Sequence, residues 1–265
     1  MTVKEAIVLL REAGVPSAEH DARALERHAA QTKSDFDDLV HRRAQRVPLQ
    51  HLLGSTGFRY LDLQVGPGVF VPRPETEVVV DAVLAEIKDR AAPVVVDLCA
   101  GAGTIGFSVA HEHPGAVVHL VERDPDAFDW MRRNRPEGRD DVHLHLADAA
   151  DALPELDGLV DVVASNPPYV AEGERELVDP EVREHDPSLA LFAGEDGLDV
   201  VRVVVQRAQA LLKPGGLVVI EHSDRQGESA PALLRERGWT EVADHRDLTD
   251  RPRFVTARRR MAGTC

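Results

Sequence analysis

Two cysteines, Cys99 and Cys265, are all that the 265 residues contain. One stands in a glycine-rich segment and the other at the C-terminal end, so no disulfide framework and no metal-ligand spacing is available, both thiols are expected to be reduced, and no metal is expected. Long apolar runs are missing as well. No stretch approaches the roughly 20 residues that cross a bilayer, and the opening "MTVKEAIVLLREAG" places charges inside what would be a signal core. A soluble, cytoplasmic protein without membrane contact, acting as a monomer, is expected. Basic residues are scarce, 31 against 46 acidic ones, for a net charge of −15. Residues 1–50 are balanced at eight of each, so the deficit lies entirely in the remainder. Aromatic residues make up only 4%. Proteins that hold long nucleic acids need a basic surface, commonly with aromatic residues for bases, so direct nucleic-acid binding is not expected.

Hydrophobic content of 43% supports a folded globular chain, long enough for two unequal domains. The first 50 residues read as short helices. Val3, Ile7 and Leu10 share a face, Gly14 stops the first helix, and Ser17 caps a second with Ala18, Ala22, Leu25 and Ala29 inward. A third carries Phe36, Leu39, Val40 and Ala44. The Gly- and Pro-rich stretch from Val47 to Glu77 reads as a hairpin linker. From residue 77 a helix is followed by strands at 94–98, 116–122, 142–148, 159–165, 217–221 and 253–258, with helical stretches between most of them. This alternation predicts an α/β fold with a largely parallel sheet covered on both faces. The expected division is a helical domain over 1–54, a linker over 55–76 and a catalytic domain over 77–265.

"VVVDLCAGAGTIGFSVA" is a strand, a tight glycine turn and a helix. Gly101 and Gly103 let the backbone approach a ligand, and Gly106 lets the helix pack on the sheet. Glu122 closes the next strand, about the spacing at which a carboxylate accepts ribose hydroxyls, roughly 20 residues on. Asp148 ends the third strand where it can face an adenine amino group, although Asp148 and Asp151 are equally suited to cap a helix. These features establish a nucleotide-like ligand and leave NAD open.

"VVASNPPYV", residues 162–170, decides the chemistry. Two prolines end the ladder and fix two φ angles, leaving a rigid polar loop beyond a strand, where α/β sheets bind ligands. The Asn166 side-chain carbonyl and the Pro167 main-chain carbonyl can together accept both hydrogens of an NH₂ group, and Tyr169 can stack on its planar carrier. Aligning that nitrogen toward an electrophile at the glycine turn is the arrangement for methyl transfer from a sulfonium, with no strong base required.

Several runs together resemble the peptide chain release factor glutamine N5-methyltransferases, the HemK family: "NPPY", "FVPRPETE" (70–77), "DLCAGAG" (97–103), "EHDPSLALFAGEDGLD" (184–199) and "LLKPGGLVVIEH" (211–222). The resemblance runs from "PLQHLLG" to "RPRFVTARR", and "FVPRPETE" is its most specific part. It implies a class I S-adenosylmethionine-dependent fold with a small N-terminal helical domain that docks a release factor. It places S-adenosyl-L-methionine along Cys99, Ala100, Gly101, Ala102 and Gly103, with Glu122 on the ribose, Asp148 and Ala149 near the adenine, and Asn166 beside both ligands. Asn166, Pro167, Pro168 and Tyr169 would hold the glutamine of a Gly-Gly-Gln loop, walled by Phe70, Arg73, Glu75 and Thr76. Cys99 stands where the family pattern has its first glycine, which implies that this position does not need a positive φ. His222 reads as a solvated strand-end histidine without a role. "NPPY" is shared with adenine-N6 methyltransferases of nucleic acids and with glutamine methyltransferases of a ribosomal protein. An NAD-dependent dehydrogenase would explain the glycine turn and Glu122 but leaves "NPPY" without work, and a non-catalytic binding module would not need Asn166 held rigidly.

Overall fold

The computed structural model describes residues 1–261; Cys265 lies outside them. Thr2 opens α1 (Val3–Glu12) with a capping box, its hydroxyl accepting from the Glu5 N–H while the Glu5 carboxylate accepts from the Thr2 N–H. Gly14, at φ 73°, follows its end. Ser17 precedes α2 (Ala18–Thr32) without making the expected side-chain cap. Next come α3 (Phe36–Ala44) and α4 (Leu49–Leu53), the latter inside the stretch read as linker. Ala6, Leu10, Ala22, Leu25, Val40 and Leu52 close a separate apolar core among these four helices. Arg43 is buried beside it, its Nε donating to Asp21 (2.8 Å) and its Nη1 lying 2.7 Å from Glu181, while Arg46 Nη2 donates to Asp179 (2.9 Å). These two arginines tie the helical part to the segment that roofs the cavity described below.

An antiparallel hairpin of β1 (Ser55–Phe58) and β2 (Leu61–Gln64) leads through a 3-10 turn at Pro74–Thr76 into α5 (Glu77–Ile87). The chain then alternates through β3 (Val94–Leu98), α6 (Thr104–Glu112), β4 (Val117–Glu122), α7 (Pro125–Asn134), β5 (Val142–Leu146) and β6 (Val160–Ser165). Two short helices, α8 (Pro180–His185) and α9 (Ser188–Leu191), precede α10 (Asp199–Leu211), β7 (Leu212–Glu221), α11 (Ser229–Glu236), β8 (Thr240–Arg246) and β9 (Pro252–Arg258). The seven strands lie in the order β5-β4-β3-β6-β7-β9-β8, parallel from β5 to β7 and antiparallel across β9 and β8. The order reverses at β3, which has β4 on one side and β6 on the other, so a crevice opens at their carboxyl ends. β8, "TEVADHR", was not anticipated as a strand. Its polar, charged alternation suits an exposed sheet edge and hides the period that marks a buried strand.

Each face of the sheet has its own core. Val79, Val83, Ile105, Val109, Val118 and Leu120 pack beneath α5 and α6, and Val163, Val201, Val205, Leu211, Ile220 and Leu234 pack beneath α10 and α11. Gly106 is required where α6 crosses β4, because a Cβ there would lie 2.6 Å from Leu120. Gly106→Ala is expected to destabilise the protein by about 1–3 kcal/mol through overpacking. Gly57→Ala, where a Cβ meets nothing within 4 Å, should be close to neutral. Urea denaturation midpoints of the two variants check this.

Candidate active site

The crevice at the switch point is a cavity of 660 Å³. Its wall includes Cys99, Ala100, Gly101, Ala102, Glu122, Asp148, Ala149 and the whole Asn166–Tyr169 loop, together with Phe70, Arg73, Glu75 and Thr76. Of the residues expected at the site only Gly103 is absent from the wall. It opens α6 at φ 89°, and a Cβ there would strike the Phe107 ring at 2.1 Å, so this glycine serves the turn and its packing. Gly101, at φ 56°, would point a Cβ into open space, which leaves its backbone free for close approach by a ligand.

Cys99 corrects the reading made from its side chain: it adopts φ 63°, the left-handed conformation that a glycine would take without strain. The surrounding structure holds it there, since Ala100 N–H donates to Val121 O (3.0 Å) and the thiol packs against the core beneath α10. Burial, with Glu122 nearby, pushes that thiol up to about 12, so it is a packing group rather than a nucleophile.

Glu122 is buried and shapes the turn. Oε2 accepts from Gly101 N–H (2.9 Å), and Oε1 accepts from Arg123 N–H (2.7 Å) and Asp124 N–H (2.8 Å). With three of about four lone-pair directions used, it can still take one ligand hydroxyl hydrogen. Asp148 accepts from Ala150 N–H (2.9 Å) and lies 3.6 Å from Arg123 Nη1, so it stays at the cavity mouth in a tight turn.

Asp97, at the end of β3, carries a signal that sequence reasoning passed over. It is 1% exposed on the cavity wall; Oδ2 accepts from Gly106 N–H (2.9 Å), while Oδ1 has no partner. Burial, opposed by that N–H and assisted by Glu122, pushes its pKa up to about 7. A buried carboxylate with an unsatisfied oxygen beside a second acid is a place for a cation.

The Asn-Pro-Pro-Tyr loop is held from several sides. Ser165 Oγ donates to Leu98 O (2.6 Å), Val170 N–H to Leu191 O (2.8 Å), and Gln226 Nε2 to Tyr169 O (3.1 Å). Asn166 Nδ2 donates to Thr76 Oγ1 (3.2 Å), so Thr76 braces the loop as well as lining the wall. Among the described residues nothing donates to Asn166 Oδ1 or to Pro167 O. Tyr169 hydroxyl donates to Glu221 Oε1 (3.3 Å), a contact that ties down the ring's far end. Glu221, also missed from sequence, is 1% exposed, and burial pushes it up to about 7. Across the mouth Arg73 Nη2 donates to the buried Asp186 (2.9 Å) and its guanidinium lies 5.2 Å from the Phe70 ring centre.

His222 is not solvated. It is 0% exposed, its Nδ1 bonds Ser223 O (2.8 Å), its Nε2 lies 3.0 Å from Asp244, and it is absent from the cavity wall. Burial lowers its pKa, opposed by the contacts with Ser223 O and Asp244, and it is a structural residue just beyond β7.

The sheet order and the crevice at β3 define a class I S-adenosylmethionine-dependent methyltransferase fold. A methyltransferase from Pyrococcus furiosus superposes with a TM-score of 0.55 at 17% identity, over 83% of this chain and 99% of that one. The family described as "Methyltransferase small domain" matches residues 60–181. A release factor glutamine methyltransferase from Streptomyces coelicolor is 49% identical, over 98% of this chain and 97% of its own. A 4-amino-L-phenylalanine/4-methylamino-L-phenylalanine methyltransferase from Streptomyces pristinaespiralis is 39% identical, over 93% and 90%. The chain belongs to the release factor glutamine methyltransferase family.

The cavity fits the cofactor of that family. Gly101 leaves room for close approach, Glu122 retains an acceptor direction, and the unpartnered Asp97 Oδ1 suits a positively charged ligand better than the pyrophosphate of NAD. Asp97→Asn, which keeps an acceptor for Gly106 N–H, is expected to weaken S-adenosylmethionine binding about tenfold, the scale of a lost charge-assisted hydrogen bond. In the wild type a cation favours ionised Asp97, so affinity should fall as pH drops below about 7, and the variant should lose that dependence. Calorimetry at pH 6 and 8 checks both, with NAD expected not to bind.

Proposed function

We propose that this chain transfers a methyl group from S-adenosylmethionine to the side-chain amide nitrogen of the glutamine in a release factor's Gly-Gly-Gln loop. The observation that carries the reading is the pair of carbonyls, Asn166 Oδ1 and Pro167 O, that stand without donors among the described residues on a rigid loop at the cavity wall. Bound along residues 99–102 and Glu122, the cofactor supplies an electrophilic methyl group on a positively charged sulfur. Asn166 Oδ1 and Pro167 O accept the two hydrogens of the substrate NH₂ and turn the nitrogen lone pair away from the loop. As the N–C bond forms and the methyl–sulfur bond breaks, the nitrogen becomes positive and both hydrogen bonds become charge-assisted, so the two carbonyls stabilise the transition state more than the bound amide. The methylated nitrogen, now acidic, then gives up one of its two protons to water and a neutral N-methyl amide remains. Tyr169, tethered through its hydroxyl, offers a ring to the flat amide, and Phe70 and Arg73 narrow the mouth.

The helices of residues 1–54 are proposed to dock the release factor, with 55–76 as linker and 77–265 as the catalytic unit. Arg43 and Arg46 then connect the docking part to the roof of the cavity through Glu181 and Asp179. The chain is proposed to act as a monomer in the cytoplasm without contacting nucleic acid or membrane. The net charge of −15 supports the first of those exclusions. Among the described residues no helix is long and apolar enough to cross a membrane.

Asn166→Ala is expected to lower kcat on release factor by about a hundredfold or more, the scale of one lost positioning group, with cofactor affinity little changed. The same assay offers a factor with Gln changed to Glu, adenine-containing DNA, and 4-amino-L-phenylalanine. The Glu variant lacks the NH₂ and should receive no methyl group. Methylation of the DNA or of the free amino acid in preference to the intact factor would overturn the reading.

A further inference from the structure

Two arginines reach the cavity wall: Arg123, 3.6 Å from Asp148, and Arg73, at the N-cap of the 3-10 turn that carries Thr76. Thr76 accepts from Asn166, so Arg73 belongs to the end of the cavity where the Asn-Pro-Pro-Tyr loop stands. That wall also carries Glu75 and Asp97. A long, flexible guanidinium side chain beside them has competing partners, and pairing with one would turn it away from any ligand. Arg73 therefore needs an anchor outside the cavity.

We infer that Asp186 is a positioning residue: it holds the Arg73 guanidinium at the cavity mouth so that the free N–H groups of Arg73 take a main-chain carbonyl of the loop that carries the target glutamine. Asp186 lies in the roof between α8 and α9, where Val182 and Pro187 line the cavity and Asp186 does not. Its side chain is 0% exposed. Oδ2 accepts from Arg73 Nη2 (2.9 Å), and Oδ1 has no hydrogen-bond partner among the described residues. The Phe70 ring, its centre 5.2 Å from the guanidinium carbon, lies against the face of the same group. Arg73 is thus fixed at one edge and on one face. One of its N–H donors serves Asp186, and among the described residues nothing accepts from the others.

Stability does not explain the pair. Desolvating a carboxylate that keeps one partner and one bare oxygen offsets what a single ion pair contributes, and burial outweighs Arg73 in bringing Asp186 up to about 6. What the pair supplies is a planar fork of fixed direction, the form of donor that suits a carbonyl or carboxylate oxygen. A main-chain carbonyl is the occupant that fits. The residues before the target glutamine are glycines, whose only acceptors are main-chain oxygens. A carboxylate would have to settle beside Glu75 and Asp97, which repel it. Arg73 then reads the chain that bears the amide, and the amide itself is left to Asn166 and Pro167.

The inference rests on the amide-methylation reading, and its test separates the two. Binding of release factor in the presence of S-adenosylhomocysteine, the demethylated cofactor product, is measured by calorimetry for the wild type, Arg73→Ala, Asp186→Ala and the double variant, with circular dichroism checking the fold of each. Two factors are offered, the intact one and one with the target Gln changed to Ala. Arg73→Ala and Asp186→Ala should each weaken binding about tenfold, the scale of one hydrogen bond from a charged donor. The double variant should bind as Arg73→Ala does, because Asp186 acts only through Arg73. Both losses should persist with the Gln-to-Ala factor, because the contact is with main chain. Where Asp186→Ala does not fold, Asp186→Asn takes its place; it keeps the shape and an acceptor but not the charge, and should lose about threefold, with nothing further beside Arg73→Ala. Unchanged binding in either single variant, additive losses in the double variant, or losses that vanish with the Gln-to-Ala factor would overturn the inference. Mass spectrometry of the intact factor after incubation with wild type and S-adenosylmethionine decides the methylation reading separately. A wild type with the expected binding pattern that leaves the factor unmethylated keeps the role of Asp186 and loses that reading; one that binds no factor loses both.

Discussion

A hydrogen bond of 3.2 Å, from Asn166 Nδ2 to Thr76 Oγ1, joins residues that are 90 positions apart in the chain. One end belongs to the loop that closes β6, the other to the 3-10 turn that leads into α5. Through this bond the linker and the loop become one rigid wall, and the contact of the Tyr169 hydroxyl with Glu221 joins it to the end of β7. A loop free to turn by a bond rotation could not keep two carbonyls aimed at one nitrogen, and misplacement by an ångström in such a site costs orders of magnitude in rate. The two prolines remove backbone freedom, and the Thr76 contact removes the remaining side-chain freedom.

Charge in the cavity follows the same economy. Asp97, Glu122 and Glu75 stand on its wall, with Glu221 just behind it. Burial raises Asp97 and Glu221, each to about 7, because neither has enough donors to remain comfortably ionised. Such a cavity repels phosphates and welcomes a cation. The acidic surplus of the chain beyond residue 50 thus acquires a local meaning: part of it lines a site for a positively charged donor, and the rest is surface.

Much of this was legible in the sequence because periodicity and turn chemistry are local. The strands Val94–Leu98, Val160–Ser165 and Pro252–Arg258, the glycine turn and the rigid loop all announce themselves through apolar runs, glycines and prolines. What escaped depends on neighbours distant in the chain. Cys99 takes a positive φ because the turn around it demands one, against its own preference. His222 is buried because β9 and Asp244 close over it. Gly103 has a packing reason that the sequence does not show, since the Phe107 ring leaves no room for a Cβ there. Asp97 and Glu221 look from sequence like ordinary acids at strand ends, and only three-dimensional burial distinguishes them. β8 was missed for the opposite reason, since an edge strand has no buried face to betray it.

The central claim is that the loop holds an amide nitrogen for methylation. The most direct measurement uses a release factor carrying ¹⁵N in its glutamine side-chain amides, incubated with this protein and S-adenosylmethionine, then analysed by peptide mapping and acid hydrolysis. The account predicts one added methyl group on the Gly-Gly-Gln peptide and release of ¹⁵N-labelled methylamine on hydrolysis. A methyl group on any other residue, or one that remains with the hydrolysed amino acid, would contradict it.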